Sequence, residues 1–181
     1  MKRVFFLLVG TIILNVLLYC PLTEAYSLDD IKRDYPSFDI KETVNSNGTI
    51  SRSIKIFQFS SEKNIGDMEN LKIVLSEYPN KTKNVAVYAL YFGYEKMDIS
   101  KIAINNGEYY FYPKSNHKRS AAVKNAYLEM ISVDISNQYD FSIWKNAHHI
   151  QIVGSNNYID LFPHNEEYNE SMNIIYRFLF E

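Results

Sequence analysis

The sequence predicts an α+β fold: a mostly antiparallel β-sheet built from hairpins, with a short helix and a C-terminal helix packed on one side. Three observations carry that expectation. Strand-like runs follow one another in adjacent pairs joined by short turns. The chain holds 15 Tyr and 11 Phe, residue types that suit a pleated, half-buried surface. Helical spacing of apolar residues is clearest in short stretches and in the closing segment.

The first 25 residues form a unit of their own. Lys2 and Arg3 precede an apolar run from Val4 to Tyr19, followed by Pro21 and Thr23-Glu24-Ala25. This is the order of a signal peptide, and it predicts cleavage after Ala25 and export of residues 26–181 as one domain. Two other fates use the same residues. Lipidation of Cys20 would follow Leu17-Leu18-Tyr19, although a lipobox wants a small residue where Tyr19 stands. Retention as an anchor through residues 4–19 would need about 20 apolar residues to span a bilayer. Cleavage would remove Cys20, the sole cysteine, so the exported domain would hold no disulfide. A cysteine-free exported domain fits a bacterial origin and depends on its core alone. Removing Lys2, Arg3 and Glu24 from 19 basic and 21 acidic residues leaves 17 and 20, a net charge of −3. No global basic field exists for nucleic acid.

The mature chain opens with a short helix, capped by Ser27 with Asp30 three residues on and ended by Pro36. Phe38–Val44 and Ile50–Phe59 read as a hairpin around Asn45-Ser46-Asn47-Gly48. Their apolar parity slips: Ile50, Ile54 and Ile56 share one face, Phe57 and Phe59 the other, as a bulge or burial on both faces would produce. Asp67–Tyr78 fits a helix through Met68, Leu71, Leu75 and Tyr78, with Ile73-Val74-Leu75 as a competing strand signal. Val85–Tyr94 is apolar on both parities, as in a central strand. Ile102–Phe111 is a hairpin turning at Asn106-Gly107, a type I′ pair, with Ile104 opposite Tyr109 and Ile102 opposite Phe111. Pro113–Lys124 reads as a polar loop. Tyr127–Ile135 is a strand, and Asp140–His148 a helix burying Phe141, Trp144 and Ala147. Ile150–Val153 and Tyr158–Phe162 form a further hairpin. The closing helix starts at Asn165, with Tyr168, Met172, Ile175 and Leu179 lining its apolar face and Met172 and Ile175 expected to be buried.

From Tyr91 to Phe178 the chain resembles the C-terminal part of a group of small exported bacterial proteins. The shared features are the Asn-Gly hairpin, a Glu-bearing strand at Glu129, a short helix, a hairpin near Gly154 and a closing helix. The resemblance implies export and brings no activity with it.

Enzyme motifs are mostly absent: no nucleophile elbow, Walker loop, zincin helix or dinucleotide fingerprint. No cofactor is expected. His148-His149, with His164 or Asp160, invites a metal reading, but adjacent residues rarely bind one ion, and no metal site is expected. Carboxylate pairs such as Asp134 with Asp140, or Glu129 with Asp160, could serve hydrolysis. Three glycosylation sequons, at Asn47, Asn80 and Asn169, little exceed the roughly two that chance gives in a chain where Asn is abundant and Ser common, and they are read as chance matches. The dense basic run Lys114-Ser115-Asn116-His117-Lys118-Arg119 could hold a phosphate or an anionic envelope polymer. The tyrosines Tyr88, Tyr91, Tyr94, Tyr110 and Tyr112 could together form an amphipathic plate for glycan or protein.

The candidate ligand-binding residues are therefore Lys114, His117, Lys118, Arg119, Tyr110 and Tyr112. The function expected is a non-catalytic binding or accessory domain at the cell envelope, its partner an anionic polymer or another exported protein. A cryptic hydrolase and a secreted effector or inhibitor are the alternatives. The first expectation is open to mass spectrometry: the exported chain should begin at Tyr26, whereas a lipidated Cys20 or a retained Met1 refutes cleavage after Ala25.

Overall fold

Antiparallel pairing runs through the whole structure, a computed structural model that describes residues 25–60, 69–155, 157–163 and 165–181. Ten strands divide between two sheets. The first contains β1 (Ile40–Val44), β2 (Ile50–Phe59), β3 (Leu71–Glu77), β4 (Lys83–Gly93), β7 (Lys118–Val123) and β8 (Ala126–Asp134), ordered β1-β2-β3-β4-β8-β7. The second contains β5 (Lys101–Ile104), β6 (Tyr109–Phe111), β9 (Ile150–Val153) and β10 (Tyr158–Leu161), ordered β10-β9-β5-β6. Three helices, α1 (Leu28–Asp34), α2 (Gln138–Lys145) and α3 (Glu166–Phe180), complete an α+β fold. Among the described residues no helix is long and apolar enough to cross a membrane.

Local chemistry accounts for most boundaries. Ser27 and Asp30 close a reciprocal capping box on α1. Asn165 caps α3 by accepting from the Tyr168 amide. The β5–β6 turn places Asn106 at φ 60° and Gly107 at φ 85°, with the Glu108 amide donating to Asn105 O. That is the expected type I′ turn, and the register Ile104–Tyr109 and Ile102–Phe111 follows from it. Two of the sequons are turn devices: Asn47 Oδ1 accepts from the Thr49 amide, and Asn80 Oδ1 from the Thr82 amide.

Two segments differ from expectation. Leu71–Glu77 is a strand rather than a helix, and Asp67 and Met68 lie outside the described residues. Its two neighbours decide the matter, since β2 and β4 both pair with it. Leu71, Ile73 and Leu75 then face the core at the strand period, fully buried. The expected loop at 113–124 contains a 3-10 turn at Ser115–His117 and the edge strand β7. Pairing with β8 from Lys118–Ile131 to Val123–Ala126 extends what local sequence marks only as polar.

The parity slip in β2 is a bulge, with the register shifting between Lys55 and Phe57. The carbonyl of Ile56, the extra residue, accepts from Ser171 Oγ of α3 at 3.0 Å. One hydrophobic cluster joins both sheets and all three helices, from Ile54 and Leu75 to Ile102, Ile152, Trp144 and Ile175. Tyr168 links α3 to α2 through a 2.5 Å hydrogen bond to Trp144 O.

The chain leaves the first sheet after Gly93 and enters the second at Lys101. The strap between them is held by Glu129, 1% exposed on β8. Its two carboxylate oxygens accept the backbone amides of Met97 at 2.7 Å and Ile99 at 2.8 Å. A buried carboxylate is tolerable only when its lone pairs are met, and here both oxygens are. Glu129→Gln keeps the volume but turns an NH2 toward an amide that needs an acceptor. It should cost about 1–3 kcal/mol, read from the urea midpoint; an unchanged midpoint would show that the strap does not depend on the carboxylate.

Tyr26 closes the other end of the core. Its hydroxyl donates to Asp34 Oδ2 at 2.9 Å, its ring lies 3.8 Å from the Arg177 guanidinium, and its carbonyl accepts from Lys83 Nζ. Burial, aided by the Asp34 bond, pushes the Tyr26 hydroxyl up to about 12 from 10.0. Between those values the folded chain retains a proton that the unfolded chain releases. The stability is present below pH 10 and lost as pH rises toward 12. Tyr26→Phe should flatten that alkaline loss in thermal midpoints, leaving the slope from Tyr168, Tyr88 and Tyr91, whose hydroxyls burial also raises.

Candidate functional site

Four of the six expected ligand-binding residues meet in one place. Tyr110, Tyr112, Lys114 and His117 line an open cleft of about 600 Å³ along the edge strand β6. One wall is β6 itself with Glu108, Tyr109 and Phe111. The other is the last turn of β8, Ser132–Asp134, with Tyr139, Asp140 and Ile143 of α2. β7 begins at the Lys118–Ile131 pair, so among the described residues no strand pairs with Ser132–Asp134 on that side. The short hairpin and the late start of β7 thus open the cleft.

The tyrosines are its main chemical asset. Tyr110, Tyr112 and Tyr139 are well exposed, and the rings of Tyr110 and Tyr112 lie 6.5 Å apart. Lys101 Nζ sits 4.2 Å from the Tyr110 ring centre and 5.9 Å from that of Tyr112, which fixes both rings by cation–π attraction. Lys114 and His117 enter through the 3-10 turn, closed by the His117 amide on Lys114 O.

Lys118 and Arg119 do not join them. Both lie on β7, whose six residues are all exposed. Lys118 Nζ is 2.9 Å from Asp98 Oδ1, and with Ser155 it holds the Asp98 carboxyl below the usual carboxylate range. Charge on an exposed edge strand also discourages pairing with another chain, which accounts for the basic run without a ligand.

The expected tyrosine plate is divided. Tyr88 stands on the first sheet near Lys72, Tyr91 packs against the core, and Tyr94 follows β4. Tyr109 and Tyr139 were not among the candidates. Tyr139 precedes the helix expected over Asp140–His148; the helix starts at Gln138 and sets Tyr139 opposite the buried Phe141 and Trp144.

Two carboxylates weighed for hydrolysis, Asp134 and Asp140, both line the cleft. Each is engaged locally. Asp134 Oδ1 accepts the Ser136 amide and hydroxyl, and Asp140 Oδ2 accepts Asn137 Nδ2 at the start of α2. Glu129 and Asp160 do not meet: Glu129 holds the strap, and Asp160 bonds His149 Nε2 and Gln151 Nε2. His148 and His149 also part, the amide of His148 donating to Asn105 and the His149 ring pairing with Asp160. His164 lies outside the described residues. Among the described residues no group of three metal-ligating side chains converges.

The chain matches no protein-family model, no curated protein and no solved structure.

Proposed function

We propose that this is an exported, non-catalytic binding or accessory domain of the bacterial cell envelope, with the cleft beside β6 as its ligand site. The observation that carries the reading is the convergence of Tyr109, Tyr110, Tyr112 and Tyr139 with Lys114 and His117 around one open cleft. Tyrosine offers a large contact area with a polar tip at low entropic cost. The N-terminal order of charged, apolar and small residues supports export, as does the anchoring of Tyr26, the residue after the expected cleavage point.

Charge narrows the ligand. Glu108, Asp134 and Asp140 share the cleft with only Lys114 and His117. An anionic polymer would meet more like charge than opposite charge there. A segment of another exported protein, amphipathic and of mixed charge, fits better. A hydrolase is the second reading, favoured by the presence of Asp134 and Asp140 in the same cleft.

Affinity capture from envelope extracts separates these. Wild-type protein and a Lys118→Gln, Arg119→Gln variant should retain the same component. Tyr139→Ala should lose at least about tenfold in affinity, roughly 1.4 kcal/mol. Retention that survives Tyr139→Ala and His117→Ala removes the cleft from consideration. Retention on an anionic column that Lys114→Gln, Lys118→Gln and Arg119→Gln together abolish restores the polymer. Release of soluble fragments that stops with Asp134→Asn or Asp140→Asn supports the hydrolase.

A further inference from the structure

Among the described residues, the second sheet turns one partly exposed face away from the core. Alternation turns Ile102 and Ile152 into the core, fully buried, and presents the intervening residues outward. Register aligns those residues in rows across the strands: Tyr158, Val153 and Lys101, then Asp160, Gln151, Ala103 and Tyr110. Tyr112 and Phe162 extend the rows just beyond β6 and β10.

The margins of this face are aromatic. Tyr158 and Phe162 are 50% and 63% exposed on one edge, Tyr110 and Tyr112 49% and 65% on the other. Phe162 lies flat on His149, centroids 4.9 Å apart at 15°. The middle is polar and braced: Asp160 Oδ1 bonds Gln151 Nε2 at 2.9 Å and His149 Nε2 at 2.8 Å. Ala103, at the centre, is itself buried, so the longer side chains around it form the floor.

We propose that this face binds an uncharged polysaccharide laid across the four strands. Size argues first. Three strand spacings of about 4.8 Å and three rows about 7 Å apart enclose roughly 200 Å². A stable protein partner needs about 800 Å² from each side, so a second copy or another protein would cover far more than this patch. Charge argues second. Lys101 and Asp160 carry opposite charges in adjoining rows, so the face offers no single-sign field. A polyanion or polycation gains nothing. Chemistry argues third. Flat aromatic rings at both margins match the C–H faces of pyranose rings. The Gln151, Asp160 and Lys101 heads between them match hydroxyls. All of it sits on paired strands, so little order is lost on binding.

This face is separate from the cleft of the proposed function, though Tyr110 and Tyr112 border both. Tyr158 and Phe162 belong to the face alone, and Tyr139 to the cleft alone. The test is affinity electrophoresis of the exported protein through gels containing soluble β-glucan, glycol chitin or polygalacturonate. At least one of the two neutral polymers should retard it, and polygalacturonate should not. Tyr158→Ala and Phe162→Ala should each weaken retardation about tenfold or more with unchanged thermal midpoints, and Tyr139→Ala should leave it intact. No retardation by either neutral polymer overturns the proposal. So does retardation by polygalacturonate alone, or full retardation of the Tyr158→Ala and Phe162→Ala variants. A protein captured from envelope extracts and lost on Tyr158→Ala, with no glycan bound, overturns it as well.

Discussion

The pair of hydrogen bonds from the Met97 and Ile99 amides to Glu129 is the constraint on which the rest of the architecture depends. Glu129 sits on a strand of the first sheet, and the strap it grips delivers the chain to the second. Without an acceptor there, two backbone donors would be buried unpaired, and without those donors a carboxylate would be. Neither half is tolerable alone, so the two sheets are joined in one arrangement. Gly154 completes the grip from the other side: a Cβ there would lie 2.2 Å from Met97 O. The Ser155 amide donates to that same oxygen at 3.1 Å. The strap is thus clamped between β8 and the β9–β10 turn, and the position of the β5–β6 hairpin follows.

The closing helix does comparable service for the first sheet. Ser171 satisfies the carbonyl that the β2 bulge removes from the ladder, so the bulge and the helix specify each other. Lys83, at the start of β4, donates to Phe178 O near the end of α3 and to Tyr26 O. A cation at that end meets carbonyls that the helix leaves unpaired. Burial lowers the pKa of Lys83, and those carbonyl acceptors keep the ammonium supplied with partners.

Both candidate surfaces grow from the same short strand. β6 has only three residues and lies at the edge of its sheet, so Tyr110 and Tyr112 border the cleft on one side and the outer sheet face on the other. Lys101 lies between them as a fixed cation over the rings. The chain holds a single cysteine, so no intrachain disulfide braces the exposed aromatic side chains. Here hydrogen-bonded strands and the strap supply the rigidity.

What the sequence determined by itself is local: the capping box at Ser27, the Asn165 cap, the Asn106-Gly107 turn and its register. Each depends on residues within a few positions of one another, where turn geometry or side-chain capping leaves one good solution. The Tyr110, Tyr112, Lys114 and His117 part of the site was legible because those residues lie close together in the chain. The rest was decided by tertiary structure. Leu71–Glu77 carries both helical and strand spacing, and only β2 and β4 on either side choose the strand. Lys118 and Arg119 read as a ligand loop until pairing with β8 makes them an edge. Glu129 reads as one more acidic residue, and its role appears only when amides some 30 residues away close on it. Tyr139, Tyr158 and Phe162 join the surfaces through contacts between distant elements, whose energies no local window contains.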